Sequence, residues 1–225
     1  MDHTVLSDET TFPARYPWIF EESAIAVTSS SEKDVALSSA KKVVFSAPEE
    51  PILMTEINTP LGIMLAGATS KGICLLEFTG RIRIEKEFQE LKKLLNTVMI
   101  PGRNAHTAQL EKELSAYFDG TLKQFTVPLH LPGNDFSKAV WQAIQVVPYG
   151  HTCSYKQQAD YMNNPKAIRA IASTNGKNRI AIIIPCHRII GSNGSMTGYA
   201  GGIEKKKWLL KFELSNSAVP AGSLF

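Results

Sequence analysis

Three short β-prone runs follow one another with only turn-forming residues between them. They read LMTEINTP, GIMLAGAT and GICLLEFT between residues 53 and 79, and they are separated by Pro60, Gly62 and the pair Lys71-Gly72. Short runs of this kind, interrupted by glycine and proline at this spacing, are typical of neighbouring antiparallel strands. We therefore expect a small antiparallel sheet in the first half of the chain.

Two helical patterns follow the predicted sheet. Residues 85–96 place Phe88, Leu91, Leu94 and Leu95 on one apolar stripe, and residues 107–118 form a second helical stretch that ends at Asp119-Gly120. Together with the strands they predict an N-terminal α+β domain over residues 51–131. Residues 1–50 contain SSSEKD and no sustained periodicity, which predicts a flexible leader of unknown function.

The second half of the chain is predicted to be mainly helical. Apolar residues recur at helical spacing after Asn134-Asp135, either of which could cap the helix, and Pro148-Tyr149-Gly150 ends it. Two short helices, over residues 154–162 and 166–173, are then joined by a tight turn. This is the pattern of a helix-turn-helix motif, although the pattern alone favours an ordinary helical hairpin. We expect a C-terminal domain over residues 132–214 and a flexible tail over residues 215–225.

Basic side chains are unevenly distributed along the chain. Residues 136–213 carry 11 basic and 3 acidic side chains, a net charge of +8, whereas the remainder carries 13 basic and 18 acidic side chains, a net charge of −5. Such asymmetry indicates that the C-terminal half meets a polyanion. For the lysine run at residues 205–207, a solvated surface face is the alternative interpretation.

Composition restricts the compartment in which the protein works. A chain of 225 residues with 44% hydrophobic residues can form one or two domains. No stretch approaches the roughly 18 apolar residues that span a bilayer, and the opening MDHTVLSDET lacks a signal-peptide pattern. Three cysteines without close pairing argue against a disulfide framework. We expect an intracellular protein, in the cytoplasm if bacterial and in the nucleus if eukaryotic.

The residues best suited to nucleophilic chemistry surround one cysteine. The apolar, β-branched run over residues 180–184 predicts an extended strand that leads into Pro185-Cys186-His187-Arg188, and Pro185 is expected to hold the chain extended. Most buried cysteines are inert, but an adjacent imidazole and guanidinium are a plausible setting for generating a thiolate. Neighbouring side chains on an extended strand point to opposite faces, so His187 is expected to reach the sulfur through a bend or a bridging water.

Several separated motifs resemble one protein family. They are Val147-Pro148-Tyr149-Gly150, Ser154-Tyr155-Lys156-Gln157-Gln158, Asn164-Pro165-Lys166-Ala167-Ile168-Arg169-Ala170, Pro185-Cys186-His187-Arg188, Met196-Thr197-Gly198-Tyr199-Ala200-Gly201-Gly202 and Trp208-Leu209-Leu210-Lys211-Phe212-Glu213. In order and spacing they resemble the O6-alkylguanine-DNA alkyltransferase family over roughly residues 136–213. The predicted N-terminal domain resembles the family only weakly, and residues 1–50 match none.

The resemblance implies a role for each residue of the site. Cys186 is then the nucleophile that takes the alkyl group, and Tyr155 donates a proton to the leaving guanine. His187 draws the thiol proton, Glu213 orients the imidazole, and Asn178 ties the recognition helix to the active-site strand. Without the resemblance, Tyr155 would be a packing residue, Glu213 an exposed helix residue and Asn178 a loop or cap residue.

The resemblance also implies how the protein holds its substrate. Arg169 would fill the gap left by a flipped nucleotide, and the small side chains of Ala167 and Ala170 would let the helix approach the minor groove. Outside the family, a helix arginine is more often a phosphate contact. Three further residues are expected to contact DNA, namely Lys166, Ser154 and Gln157.

The resemblance further implies an alkyl pocket that consists of Tyr199, Ala200, Gly201 and Gly202. Tyr199 would stack on guanine, and the glycines would leave room for a benzyl adduct, so Gly201→Trp is expected to narrow the pocket. A thioether is a poor leaving group, so each molecule should react once. The expected substrate is duplex DNA carrying O6-alkylguanine, with O4-alkylthymine as a second adduct, and the protein is expected to act as a monomer.

We expect the reaction to need no cofactor and no metal. Some family members bind zinc through cysteines near the N-terminus, but no cysteine precedes Cys74 here. The histidines outside the reactive motif, which are His3, His106, His130 and His151, lack ligand spacing with one another.

Three other functions fit parts of the pattern. A binding-only relative would keep the DNA grip but replace the nucleophile, and Cys186 argues against that. A transcriptional regulator would use the same helix-turn-helix, but residues 1–50 contain no matching motif. A cysteine hydrolase built on Cys186, His187 and Glu213 would need an acyl-substrate site, and none is evident in the sequence.

Overall fold

The sheet of the N-terminal half contains the three predicted strands and one more. The computed structural model describes residues 12–20, 50–81 and 84–217. The strands are β1 (Ile52–Thr59), β2 (Gly62–Thr69), β3 (Gly72–Phe78) and β4 (Met99–Pro101), in the order β3-β2-β1-β4. The first three pair antiparallel, as predicted, whereas β4 lies parallel to β1. The sheet is therefore mixed. The sequence did not predict β4, because a three-residue strand is too short to produce a recognisable pattern.

Two helices pack beside this sheet and were both predicted. They are α3 (Ile84–Leu95) and α4 (Ala105–Phe118). The α4 helix begins two residues earlier than expected because Asn104 caps it: its side chain accepts a hydrogen bond from Thr107 N, and the Thr107 hydroxyl accepts one from the Asn104 backbone. This reciprocal capping satisfies backbone donors that have no partner inside the helix.

Part of the expected flexible leader is folded onto the sheet. Two four-residue helices, α1 (Phe12–Arg15) and α2 (Pro17–Phe20), bury Ile19 to 1% exposure in an apolar cluster formed by the sheet and α3. Four aromatic residues pack around it, namely Phe12, Tyr16, Trp18 and Phe20. Burial of these apolar side chains stabilises the two helices, although their sequence shows no periodic pattern. The remainder of the predicted leader lies outside the described residues.

The second half is mainly helical, as predicted. It contains α5 (Asp135–Gln145), α6 (Tyr155–Tyr161), α7 (Ile168–Asn175) and α8 (Ile203–Ser215), with a short parallel pair of strands, β5 (Cys153–Ser154) and β6 (Ile189–Ile190). Asn134, rather than Asp135, provides the side-chain cap of α5. Of the predicted tail, Ser215 is the last residue of α8 and residues 218–225 lie outside the described part.

The two halves meet where the chain approaches Cys186. Leu76 of β3 donates its backbone N–H to Arg179 O at 2.8 Å and accepts one from Ala181 N at 2.8 Å. One apolar cluster also runs from the sheet through α5 to the residues around Cys186. The overall architecture is α+β, and the reactive segment lies along the free edge of β3. The division into two domains stays a prediction.

Within the described ranges, no helix is both long enough and apolar enough to span a membrane.

Candidate functional site

The segment before Cys186 is a closed turn, so the prediction of an extended strand is wrong. Ile184 N donates to Ile180 O at 3.0 Å, and Ile182 has a φ of 70°, a left-handed conformation that β-branched residues rarely adopt. The Asn178 side chain braces this turn, since its oxygen accepts from Ile180 N at 2.9 Å and its nitrogen donates to Ile184 O at 2.9 Å. Cys186 itself begins a 3₁₀ turn.

Asn178 also contacts the predicted nucleophile. Its Nδ2 atom lies 3.2 Å from Cys186 Sγ, with the amide donating to the sulfur. Burial raises the pKa of the Cys186 thiol, and the Asn178 hydrogen bond opposes this rise because it favours the thiolate. The structure therefore brings these two predicted residues into direct contact.

His187 and Glu213 form the predicted imidazole–carboxylate pair. Both are fully buried, and His187 Nε2 lies 2.8 Å from Glu213 Oε1. Burial lowers the pKa of His187 more strongly than the neighbouring carboxylate raises it, so the ring is neutral at neutral pH. With Nε2–H donating to Glu213, the Nδ1 atom keeps its lone pair. Among the described residues Nδ1 has no hydrogen-bond partner, and it is available as a base.

Glu213 has two side-chain partners that the sequence did not reveal. Arg188 donates to its carboxylate through Nε at 2.8 Å and through Nη2 at 2.9 Å, and Tyr117 OH donates at 2.8 Å. Burial raises the Glu213 pKa, but the contacts with His187 and Arg188 outweigh burial and hold that pKa well below its ordinary value. Glu213 is thus a buried anion, not the exposed helix residue that its position alone suggests.

A cavity of about 290 Å³ opens beside Cys186. Its lining includes the predicted residues Tyr155, Tyr199 and Ala200, and it also includes Ala172, Asn175, Gly176 and Gly198. Gly201 and Gly202 were predicted to line this pocket but are not among its lining residues. At Gly201 a Cβ atom would lie 2.8 Å from Phe78 and 2.9 Å from Tyr199. A side chain at this position would therefore point into two packed aromatic rings.

The predicted helix pair borders this cavity. Trp141 Nε1 of α5 donates to Thr174 O at 3.1 Å, and Gln158 of α6 exchanges two hydrogen bonds with Asn175 of α7. These contacts fix α7 against the rest of the C-terminal half. Of the predicted DNA contacts, Lys166, Arg169, Ala170 and Gln157 are exposed, and Ala167 and Ser154 are partly buried. Ser154 and Gln157 cap α6 reciprocally, which gives both side chains a local structural role.

Lys206 is buried, although the sequence places it in the basic C-terminal half, with a solvated lysine face as the alternative. Its Nζ atom donates to Ile189 O at 2.5 Å and to Thr197 O at 3.0 Å, and its side chain is fully buried. Lys206 therefore ties α8 to β6 and to the loop that leads to Tyr199. Lys206 and Arg188 both contribute to the net charge of +8, but neither presents that charge on the surface.

The three ranges that the structure describes contain no group of three or more His, Cys, Asp or Glu side chains able to hold a metal. The absence of a metal stays a prediction.

A cysteine hydrogen-bonded by an amide, a buried histidine–glutamate pair and a cavity next to a basic helix pair define the class of the site. The site is a cysteine with a neighbouring imidazole–carboxylate pair, and it lies beside the two short helices α6 and α7.

Comparisons with known proteins agree with this class. Residues 135–215 match the family model for the DNA-binding domain of 6-O-methylguanine DNA methyltransferase. A methylated-DNA–protein-cysteine methyltransferase of Methanosarcina barkeri is 40% identical over 163 residues, which is 71% of this chain and 96% of that protein. The crystal structure of the Mycobacterium tuberculosis O6-methylguanine methyltransferase has a TM-score of 0.63 and 36% identity over 76% of this chain and 96% of its own. The tuberculosis OGT in complex with DNA has a TM-score of 0.61 and 37% identity, covering 72% and 92%.

The chain belongs to the methylated-DNA–protein-cysteine methyltransferase family.

Proposed function

We propose that this protein repairs duplex DNA by transferring the alkyl group of O6-alkylguanine irreversibly to the sulfur of Cys186. The observation that carries the proposal is the position of Cys186 in the wall of a cavity that Tyr155 and residues of α7 also line. A base presented to this cavity from α7 meets the thiol, a phenol and the backbone of the Gly198–Ala200 segment. O4-alkylthymine, which carries a similar exocyclic alkoxy group, is the second adduct that we include.

The chemistry is an in-line displacement at the alkyl carbon. The Cys186 sulfur forms a bond to that carbon, and the bond between the carbon and guanine O6 breaks. The thiol proton passes to His187 Nδ1 through a bridging water, while Tyr155 gives its hydroxyl proton to the departing guanine. The proton held by His187 then restores the Tyr155 phenol, so the net products are an S-alkylcysteine and guanine.

His187 is suited to this role by its surroundings. The ring is neutral, its Nε2–H is held by Glu213, and its Nδ1 has no other partner within the described part of the chain. The imidazolium that forms during transfer is stabilised by the ionised Glu213 carboxylate, as in other cysteine and serine nucleophile systems. Asn178 supports the developing thiolate with its amide N–H.

Access to the adduct requires that the nucleotide leave the base stack. A base inside a duplex cannot reach a sulfur recessed in the wall of a cavity, so the damaged nucleotide is extruded into the cavity at a cost of a few kcal/mol. Arg169 is exposed on the first turn of α7 and is the long side chain available to fill the vacated space. Two small residues, Ala167 directly before α7 and Ala170 within it, allow α7 to lie close to the minor-groove floor.

The thioether product explains why each molecule acts once. A thioether is neither hydrolysed nor displaced by the groups present in the cavity, unlike the thioester of a cysteine hydrolase. The alkylated protein therefore cannot regenerate its thiol.

The decisive experiment is incubation with a duplex that carries one O6-methylguanine, followed by intact mass measurement and peptide mapping. We expect one methyl group per protein molecule, on the peptide that contains Cys186, and no transfer to Cys186→Ala. The Cys186→Ala protein should still bind the duplex. A methyl group on Cys74 or Cys153, or transfer that survives in Cys186→Ala, would overturn the proposal.

The same measurement separates the rival functions. A binding-only protein would retain the duplex without any gain in mass. A cysteine hydrolase would turn over repeatedly and return to its original mass.

A further inference from the structure

Arg81 is a buried cation that the chemistry described above does not use. It follows β3 in a tight turn, in which its N–H donates to Phe78 O at 3.1 Å, and its side chain is only 3% exposed. Two carboxylates hold the guanidinium: Nη1 donates to Glu77, and Nη2 donates to Glu87 at 2.7 Å. A buried guanidinium gripped from two sides has a fixed direction.

The other hydrogen bonds of Arg81 cross to the C-terminal half. Nη1 donates to Asn178 O at 2.9 Å, and Nη2 donates to Gly176 O at 3.1 Å. Gly176 directly follows α7, and Asn178 is the residue whose amide contacts Cys186 Sγ. One planar group of the sheet-containing half thus holds two backbone carbonyls at the start of the segment that leads from the recognition helix to the nucleophile.

We propose that Arg81 is a positioning residue for alkyl transfer, which acts through Asn178 by fixing the backbone from which the Asn178 amide reaches the Cys186 sulfur. The inference rests on the proposed function, because it takes Cys186 as the acceptor of the alkyl group. It also assigns the sheet-containing half a part in the chemistry, although none of the described residues of that half lines the cavity beside Cys186.

A purely structural ion pair at position 81 would require only a positive charge. If Arg81 only neutralised Glu77 and Glu87, lysine would serve, because it carries the same charge. Lysine cannot donate four hydrogen bonds in a plane to two carboxylates and two carbonyls. Arg81→Lys therefore separates positioning from charge compensation. The matched control is Arg103→Lys, since Arg103 lies in the same half and forms an exposed pair with Glu111.

The experiment measures single-turnover transfer from O6-methylguanine duplex and from the free base O6-benzylguanine. For Arg81→Lys we expect the rate constant at saturation to fall about tenfold with both substrates, because small misplacements of reacting groups cost one to two orders of magnitude. The half-saturating concentration of duplex should change less than about twofold, because α7 keeps its contacts with α5 and α6. Arg103→Lys should match the wild-type protein in both quantities.

Thiol reactivity provides a readout that loss of stability alone does not move. Alkylation of Cys186 by iodoacetamide is followed against pH in folded protein. Weakening of the Asn178 hydrogen bond should shift the profile to higher pH, with up to about tenfold less thiolate at a fixed pH. On an Asn178→Ala background, Arg81→Lys should change the transfer rate by less than about twofold, because residues that act through one contact are not additive.

The outcomes distinguish the inference from the proposed function. If the wild-type protein carries the alkyl group elsewhere than on Cys186, the proposed function fails. Two results would overturn only the inference while the alkyl group is found on Cys186. One is a wild-type transfer rate in Arg81→Lys. The other is a double variant whose loss of rate equals the product of the losses in Arg81→Lys and Asn178→Ala. Glu87→Gln loosens the guanidinium from the partly exposed side and should lower the rate by a smaller factor. A wild-type rate in Glu87→Gln, together with an unfolded Arg81→Lys, would reduce Arg81 to a stabilising residue and overturn the inference.

Discussion

Arg188 grips the carboxylate of Glu213 with two nitrogen atoms, Nε at 2.8 Å and Nη2 at 2.9 Å, in a fully buried setting. The pair also receives His187 and Tyr117, so its removal would disturb the fold as well as the relay.

Glu213→Gln should destabilise the protein by about 3 kcal/mol, because it leaves the Arg188 guanidinium buried without its counter-charge. Urea unfolding of the two proteins measures the difference in the free energy of unfolding. Glu111→Gln is the control, since its pair with Arg103 is half exposed, and its effect should remain below about 1 kcal/mol. Equal losses for the two variants would show that the buried pair contributes no more than a surface one.

The pH dependence of transfer should reflect the lowered pKa of His187. Burial favours the neutral ring, so the base stays competent as the pH falls through the ordinary histidine value of about 6.5, and activity is lost only below it. The rate of transfer from O6-benzylguanine, measured from about pH 5 to about pH 9, tests this. His106→Gln, on the first turn of α4 and outside the site, should show the same profile as the wild-type protein. An acid midpoint above 6.5 would contradict the assignment of a neutral, buried base.

Arg169→Ala should slow repair of duplex DNA far more than reaction with the free base. Base extrusion costs a few kcal/mol, and loss of the group that stabilises the extruded state should reduce duplex repair by about tenfold or more. Reaction with O6-benzylguanine should stay within about twofold of the wild-type rate, since it needs no extrusion. Lys156→Ala provides a comparison on the neighbouring helix. Equal losses on both substrates would make Arg169 a residue of the fold or of the active site.

The size of the adduct that the protein accepts should depend on Gly198 and not on Gly201. Gly198 lines the cavity, and a Cβ atom there meets nothing within 4 Å, so Gly198→Trp should restrict benzyl transfer about tenfold while methyl transfer persists. Gly201→Trp should instead lower thermal stability and slow both reactions, because its side chain would collide with Phe78 and Tyr199. Parallel measurement of both transfers and of the melting temperature decides between the two positions. Benzyl resistance in a fully stable Gly201→Trp would restore the original expectation.

Local patterns were sufficient for most of the secondary structure. Local sequence predicts the strands around Gly62 and Gly72 and the helices capped by Asn134 and Ser154, because turns and caps form between residues that are close in sequence. The two short helices around Ile19 were missed because aromatic residues without a period are stabilised by the surface that they cover. The turn before Cys186 was missed because a run of isoleucines favours a strand, and the Asn178 side chain overrides that preference.

The site was predictable only as far as contiguous motifs reach. Cys186, His187 and Arg188 are adjacent in sequence, whereas Tyr117 meets Glu213 across 96 positions and Arg81 meets Asn178 across 97. Contacts at such separations depend on how helices and sheet pack, and a single sequence does not specify that packing. The burial of Lys206 is hidden for the same reason, because both of its acceptors are backbone carbonyls outside its own helix.

The helices α1 and α2 are joined to the sheet on which they pack by a stretch of the same chain. They comprise eight residues, and 29 residues separate Phe20 from Glu50. That tether gives the aromatic segment a high effective concentration at its docking surface, which favours the packed state over dissociation. Cleavage anywhere in the tether would turn the same contact into an association between separate molecules. The segment would then dissociate on dilution, exposing the apolar surface around Phe88 while leaving the Cys186 site intact.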